Sequence, residues 1–149
     1  MTATLGALLA LLAAVTPHLT MATSASTTPA RPGSVVQLFV DVIPDLNVHV
    51  YAPGAKDYLP VALELTPAAG VTIGKLAYPK AQDLYFEPLK EHVPVFSAPF
   101  RLVQSVTIAR TSKTGQSITL TGALKYQACD DKVCFNSVTA PVSWTIVVR

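Results

Sequence analysis

Cys129 and Cys134 are the two cysteines of this 149-residue chain, and they bracket Asp130-Asp131-Lys132-Val133. Thiols this close can close into a bridge that staples the fold, cycle between dithiol and disulfide, or hold a soft metal. A bridge here would close a loop of about six residues, which contributes roughly 2 kcal/mol on the chain-entropy view. Long-range bridges give more, and a domain of this size needs a staple less than a very small one does. A local pair at a strand end is also open to a partner's thiolate. The spacing is wider than that of a Cys-x-x-Cys motif, so spacing alone leaves redox exchange and a structural staple both open. Asp130 and Asp131 would raise a neighbouring thiol's pKa and Lys132 would lower it, so the local charges oppose one another. A metal site would draw on Cys129, Cys134 and either His49 or His92. No histidine lies at motif spacing, however, and Met1 and Met21 are the only methionines. No serine or carboxylate arrangement suggests hydrolysis.

The elements that would position the pair read as strands. Val36, Leu38, Val40 and Val42 alternate with Gln37, Phe39 and Asp41, a half-buried strand ended at Pro44-Asp45. Residues 46–51, 61–65 and 71–77 follow as shorter strands, and 100–109, 118–128 and 138–148 as longer ones. In 118–128, Ile118, Leu120, Leu124 and Tyr126 share one face. In the last strand Val142, Trp144, Ile146 and Val148 do so. Seven or more short strands punctuated by twelve prolines predict an all-β, immunoglobulin-like β-sandwich. The strands 118–128 and 138–148 are expected to pair as a cysteine hairpin, since facing Cα atoms about 4.5–5.5 Å apart suit a disulfide. Residues 78–99 (YPKAQDLYFEPLKEHVPVFSAP) are long, proline-rich and aromatic, and predict a long cap-like loop of functional use or a strand-poor edge of the sandwich.

Half of the chain is apolar and 13% is charged, with a formal charge of +2. These figures describe a chain that fills a core, and no run of Lys and Arg points to nucleic acid. Residues 5–15 are an uninterrupted apolar run, too short to cross a bilayer, which needs about 20 residues, but suited to a signal peptide. Pro17 breaks the run, and Ala22-Thr23-Ser24-Ala25-Ser26 offers small residues for cleavage, although no Lys or Arg precedes Arg31. The expected organisation is therefore a signal or N-terminal apolar segment over 1–26, a linker over 27–33 and one domain over 34–149. Export would place the cysteines where a disulfide persists.

The segment 125–144 (KYQACDDKVCFNSVTAPVSW) closely resembles the cysteine hairpin of the N-terminal periplasmic domain of the thiol–disulfide interchange protein DsbD. Tyr126, Gln127, Cys129, Cys134, Phe135, Val138, Pro141 and Val142 match its pattern, and residues 47–65 (NVHVYAPGAKDYLPVALEL) with Tyr78-Pro79 also look like that family. The resemblance covers about 34–149. It implies an immunoglobulin-like electron shuttle in the periplasm, serving processes such as cytochrome c biogenesis. The shuttle would be reduced by a membrane-embedded thiol reductant (DsbD- or CcdA-like) and would reduce thioredoxin-like partners, as a monomer with no cofactor or metal. It implies that Cys134 forms the mixed disulfide and Cys129 resolves it. Tyr85 and Phe86 would shield the pair from within a cap loop, and Tyr51, Tyr126 and Phe135 would be its aromatic neighbours. His49 stands where the family has an aromatic, and its near-neutral pKa could tune the thiols. No counterpart of the family's acidic residue near the cysteines is evident. The family's full-length protein continues into a membrane domain and a thioredoxin-like domain, so a chain ending at Arg149 is expected to act in trans or with a different donor. The competing expectation is a secreted binding or structural sandwich with an inert disulfide.

Overall fold

The computed structural model describes residues 13–26 and 29–149. These residues contain no helix and form β1 (Ala13–Thr16), β2 (Leu19–Ala25), β3 (Val35–Pro44), β4 (His49–Tyr51), β5 (Ala62–Leu65), β6 (Val71–Ala77), β7 (Gln82–Phe86), β8 (Glu91–Phe96), β9 (Phe100–Ile108), β10 (Ser117–Tyr126), β11 (Ala128–Cys129) and β12 (Val138–Val147). The strands make a five-stranded sheet in the order β1-β2-β3-β9-β6, a three-stranded sheet β12-β10-β5 and a four-stranded sheet β11-β4-β8-β7. All the named pairings are antiparallel.

The period-two alternation seen in the sequence is what builds the sandwich. Val36, Leu38, Val40 and Val42 of β3 and Leu102, Val106 and Ile108 of β9 point into one core, where they meet Leu120, Leu124, Trp144 and Ile146 of β10 and β12. The Trp144 indole N–H donates to the Phe39 carbonyl at 3.2 Å, tying the two layers together. Gly122 lets β5 lie close along β10, since a Cβ there would overlap the Glu64 carbonyl. The fold is the predicted all-β sandwich.

Four segments differ from expectation. Residues 13–25, expected from the sequence to belong to a signal or N-terminal apolar segment, contain two strands of the five-stranded sheet. β2 pairs with β3 from Leu19↔Pro44 to Ala25↔Leu38, and Leu19 and Met21 are core side chains at 1% and 3% exposure. The segment was hard to read as a strand because only these two of its inward residues are large. The stretch expected as a linker is tied to the fold from residue 29 on: Ala30 bridges Val148, and the Gly33 N–H donates to the Ile108 carbonyl at 2.8 Å. Residues 1–12 and 27–28 lie outside the described part of the chain.

The segment 78–99 is largely a hairpin rather than a loop. β7 pairs with β8 from Gln82↔Val95 to Phe86↔Glu91 around a tight turn at Glu87–Lys90. Pro94 hid this strand, because proline is unusual inside a sheet. It sits just past the end of β4, where only its carbonyl is used, accepting from the Ala52 N–H at 2.9 Å. Finally, the strand expected over 46–51 begins only at His49. Asn47 takes a positive φ of 62° and the Val48 N–H closes a turn on the Asp45 carbonyl.

Candidate functional site

The four-stranded sheet has two unlike faces. Ala128, Val50 and Phe96 pair across β11, β4 and β8 and point into the main core. The residues between them point the other way, so Cys129, Tyr51, Val93 and Val95 form a second, small apolar cluster with Leu84, Ala55 and Tyr58 packed on it. This outer face is the floor of a cleft of about 390 Å³. Its lining includes His49, Tyr51, Tyr58, Tyr85, Phe86 and the whole loop Cys129–Cys134.

Cys129 and Cys134 are joined by a disulfide whose Cα atoms are 4.0 Å apart. The two ends differ in access. Cys129 is buried at 1% exposure, whereas Cys134 is exposed. The loop between them is shaped by Asp130, whose Oδ1 accepts from the backbone N–H groups of Lys132 and Val133, each at 2.8 Å. Those two bonds, that from Val133 foremost, hold its carboxyl below the usual carboxylate range. The Asp130 N–H in turn donates to the Val133 carbonyl, and the Phe135 N–H donates to the Ala128 carbonyl.

Tyr51 is the polar contact of the disulfide. Its hydroxyl donates to Cys129 Sγ at 3.2 Å and lies 3.6 Å from Cys134 Sγ. Burial and then the nearby Glu91 carboxylate push the phenol pKa up, so Tyr51 remains a donor. Its ring stacks on Tyr58 at 4.1 Å, and the Tyr58 hydroxyl donates to Glu91 Oε1 at 2.7 Å. That bond raises the Tyr58 phenol to about 12. His49 is the cross-strand partner of Cys129 and sets its ring edge-on to Tyr51 at 5.4 Å. Its Nε2 is buried without a hydrogen-bond partner, and burial, opposed by Asp131 and Asp130, lowers its pKa.

The structure gathers Cys129, Cys134, Tyr51, His49, Tyr85 and Phe86 around one cleft. Tyr85 and Phe86 stand at its β7 edge, 47% and 36% exposed. It does not bring Tyr126 and Phe135 there. Tyr126 is fully buried in the main core and donates to the Pro17 carbonyl at 2.6 Å, and Phe135 stacks on His18 at 3.8 Å. Both support the cysteine loop from the core side. Sequence reasoning missed Tyr58 and Glu91, which supply the ring behind Tyr51 and an acidic group in the aromatic cluster. Their separation of 33 residues gave no local signal. His92, weighed as a metal ligand, pairs with Asp83 at the exposed surface. Cys129 and Cys134 are bonded to each other, and among the described residues no cluster of three or more metal-ligating side chains forms.

The site is thus a local disulfide at the end of a strand hairpin of a β-sandwich, with one sulfur open to a cleft. Residues 16–143 match the family described as thiol:disulfide interchange protein DsbD, N-terminal, and the chain belongs to that family. The N-terminal periplasmic domain of ScsB from Proteus mirabilis superimposes with a TM-score of 0.57 at 13% identity, over 91% of this chain and 49% of that one. This chain therefore spans about half the length of that domain. The reduced DsbD N-terminal domain of Neisseria meningitidis gives a TM-score of 0.47 at 16% identity, over 79% of this chain and 78% of that one. No curated protein matches the chain.

Proposed function

We propose that the domain is a periplasmic electron shuttle that takes two electrons from a membrane-embedded thiol reductant and delivers them to thioredoxin-like partners. The observation that carries this is the asymmetry of the disulfide: Cys134 is exposed and Cys129 is buried beneath it. A partner's thiolate can reach only the exposed sulfur, which makes Cys134 the sulfur of the mixed disulfide and Cys129 the resolving one.

In the donating direction the Cys134 thiolate attacks one sulfur of a partner disulfide. A Cys134–partner bond forms, the partner's bond breaks, and its other sulfur leaves as a thiolate. The Cys129 thiolate then attacks Cys134 Sγ, re-forming the Cys129–Cys134 bond and expelling the partner's second thiolate. Two electrons have moved to the partner, and the two thiol protons of the shuttle end on the partner's sulfurs through solvent. Tyr51 can donate to a thiolate at either position, given its place between the two sulfurs. Tyr85 and Phe86 act as the shield that a docking partner displaces.

The test is a redox titration of the domain against glutathione or dithiothreitol, with free thiols counted by alkylation and mass. A reversible midpoint between about −180 and −270 mV, the range of exchange proteins, is expected. A bridge that resists reduction until below about −300 mV, or opens only on unfolding, makes it a staple and removes the shuttle.

A further inference from the structure

Among the described residues, His49 is the one side chain of the cleft with a buried polar atom that has no hydrogen-bond partner. Buried polar groups are normally hydrogen-bonded, and an orphan in a native site calls for a reason. The backbone supplies one. His49 and Cys129 are directly opposed on the antiparallel strands β4 and β11. Opposed residues project from the same face with Cβ atoms about 4.5–5.5 Å apart. In the oxidised form Cys129 is a disulfide sulfur and carries no proton to give. Reduction turns it into a buried thiol facing an imidazole that lacks a partner.

We propose that His49 is the proton acceptor for Cys129 in the reduced domain, converting the buried resolving thiol into a thiolate. The idea rests on the exchange chemistry proposed above and assigns one of its protons. The Cys129 S–H bond breaks, its proton passes to His49 Nε2, and the electron pair stays on sulfur as a thiolate beside an imidazolium. When that thiolate attacks the mixed disulfide at Cys134, the partner's sulfur departs with the bonding pair and takes up the proton His49 holds. The partner disulfide is the oxidant, and charge and protons balance. Without such a base, Cys129 would be at a disadvantage, because a thiol buried in apolar surroundings has a raised pKa and little thiolate. The other ionisable groups of the site are Tyr51 on the same strand, Tyr58 with Glu91 of β8, Tyr85 of β7, Asp130, Asp131 and Lys132 of the cysteine loop, and in the reduced form Cys134. Burial favours the neutral ring that can accept a proton, and Asp131 and Asp130 favour the imidazolium.

The assignment is tested on the chemically reduced chain, so that it does not depend on what the pair does in the cell. Thiolate absorbance near 240 nm is titrated in Cys134→Ser, where Cys129 is the sole thiol, with and without His49→Phe. The expected result is a Cys129 midpoint below the ordinary thiol value near 8.5 that moves above it when His49 is lost. In the two-cysteine protein, an aromatic disulfide reagent releases its first chromophore on attack by Cys134 and its second on resolution by Cys129. His49→Phe should leave the first phase unchanged. It should slow the second about threefold at pH 7, the loss of thiolate being partly offset by the greater nucleophilicity of the more basic sulfur. His49→Gln, which keeps a polar group but accepts no proton at neutral pH, should behave as His49→Phe does, and it stands in if the phenylalanine variant folds poorly. A Cys129 midpoint and second phase unaltered in both variants would overturn the assignment. A staple-like potential in the unaltered protein, together with the midpoint shift, would remove the shuttle and leave the proton acceptor standing.

Discussion

The turn joining β1 to β2 and the hairpin of β7 and β8 reach the cysteine loop from opposite sides, and they hold it in different ways. On the core side, the buried Tyr126 hydroxyl donates to the Pro17 carbonyl at 2.6 Å and lies 3.0 Å from Thr16 Oγ1, while His18 stacks on Phe135. On the cleft side, Leu84 packs into the small cluster beneath Cys129, and Tyr85 and Phe86 stand half-exposed at the rim. Among the described residues, no hydrogen bond joins β7 or its turn to the loop 129–134. Moving the core-side turn would therefore strip partners from buried polar groups, whereas moving the rim would cost only modest apolar contact. A disulfide that must meet a partner needs both kinds of support, one that fixes the sulfurs and one that yields.

The largest expected effect comes from removing the fixed side altogether. A chain starting at residue 27 lacks β1 and β2, exposes the edge of β3 and loses Leu19 and Met21 from the core. Truncating one such side chain to alanine costs about 2–5 kcal/mol, against a total stability of about 5–15 kcal/mol. The truncated chain should show no cooperative melt by circular dichroism. A sharp melt would mean that β2 is dispensable and would dissolve the contrast drawn between the two sides. Next in size is Tyr126→Phe, which leaves the Pro17 carbonyl without its donor at a cost of about 1 kcal/mol. Denaturant unfolding should show that loss while the reduction midpoint stays in place, because the tyrosine lies outside the cleft.

A smaller effect belongs to His49. Burial lowers its folded pKa below the unfolded value near 6.5. The unfolded chain then binds the proton more readily, so stability is unaffected above about pH 7 and falls as pH drops through the unfolded value. It levels off once pH is below the folded one. Chemical unfolding of the oxidised domain from pH 8 to 5 should show this decline, shallower in His49→Phe. Identical pH profiles would mean that the imidazole is no harder to protonate folded than unfolded.

How much of this could be read in the residues follows from how local each signal was. The cores of β3, β9, β10 and β12 were legible because large apolar side chains recur at alternate positions along them, broken only at Gln104 of β9, Gly122 of β10 and Ala140 of β12. The cysteine hairpin was legible because both cysteines and both flanking strands lie within one stretch of about thirty residues. β2 was not, since Thr20, Ala22 and Ser24 look the same in a strand and in a cleavage region, and only its pairing with β3 decides. Nor was β8, whose Pro94 contradicts an interior strand until the end of β4 is known. Tyr58 and Glu91 come to the site through stacking and a hydrogen bond between distant segments, which no spacing rule encodes. His49 was visible as an oddity, but its opposition to Cys129 is a matter of register.

The smallest change in stability, and the sharpest test of the yielding side, is the pair Tyr85→Ser and Phe86→Ser. Both residues are exposed enough that the double variant should unfold within about 0.5 kcal/mol of the parent. If the rim acts as a shield, access to Cys134 improves, and dithiothreitol should reduce the bridge faster in the variant with the reduction midpoint unchanged. A rate equal to the parent's would mean that the rings do not gate the sulfur. A change in midpoint would mean that they stabilise one redox state rather than guard the approach to it. The first outcome would leave the cleft open as built, with the rim free to serve as part of a partner's docking surface. The second would turn the rim into a second fixed side, and the contrast between the two flanks of the loop would have to be given up.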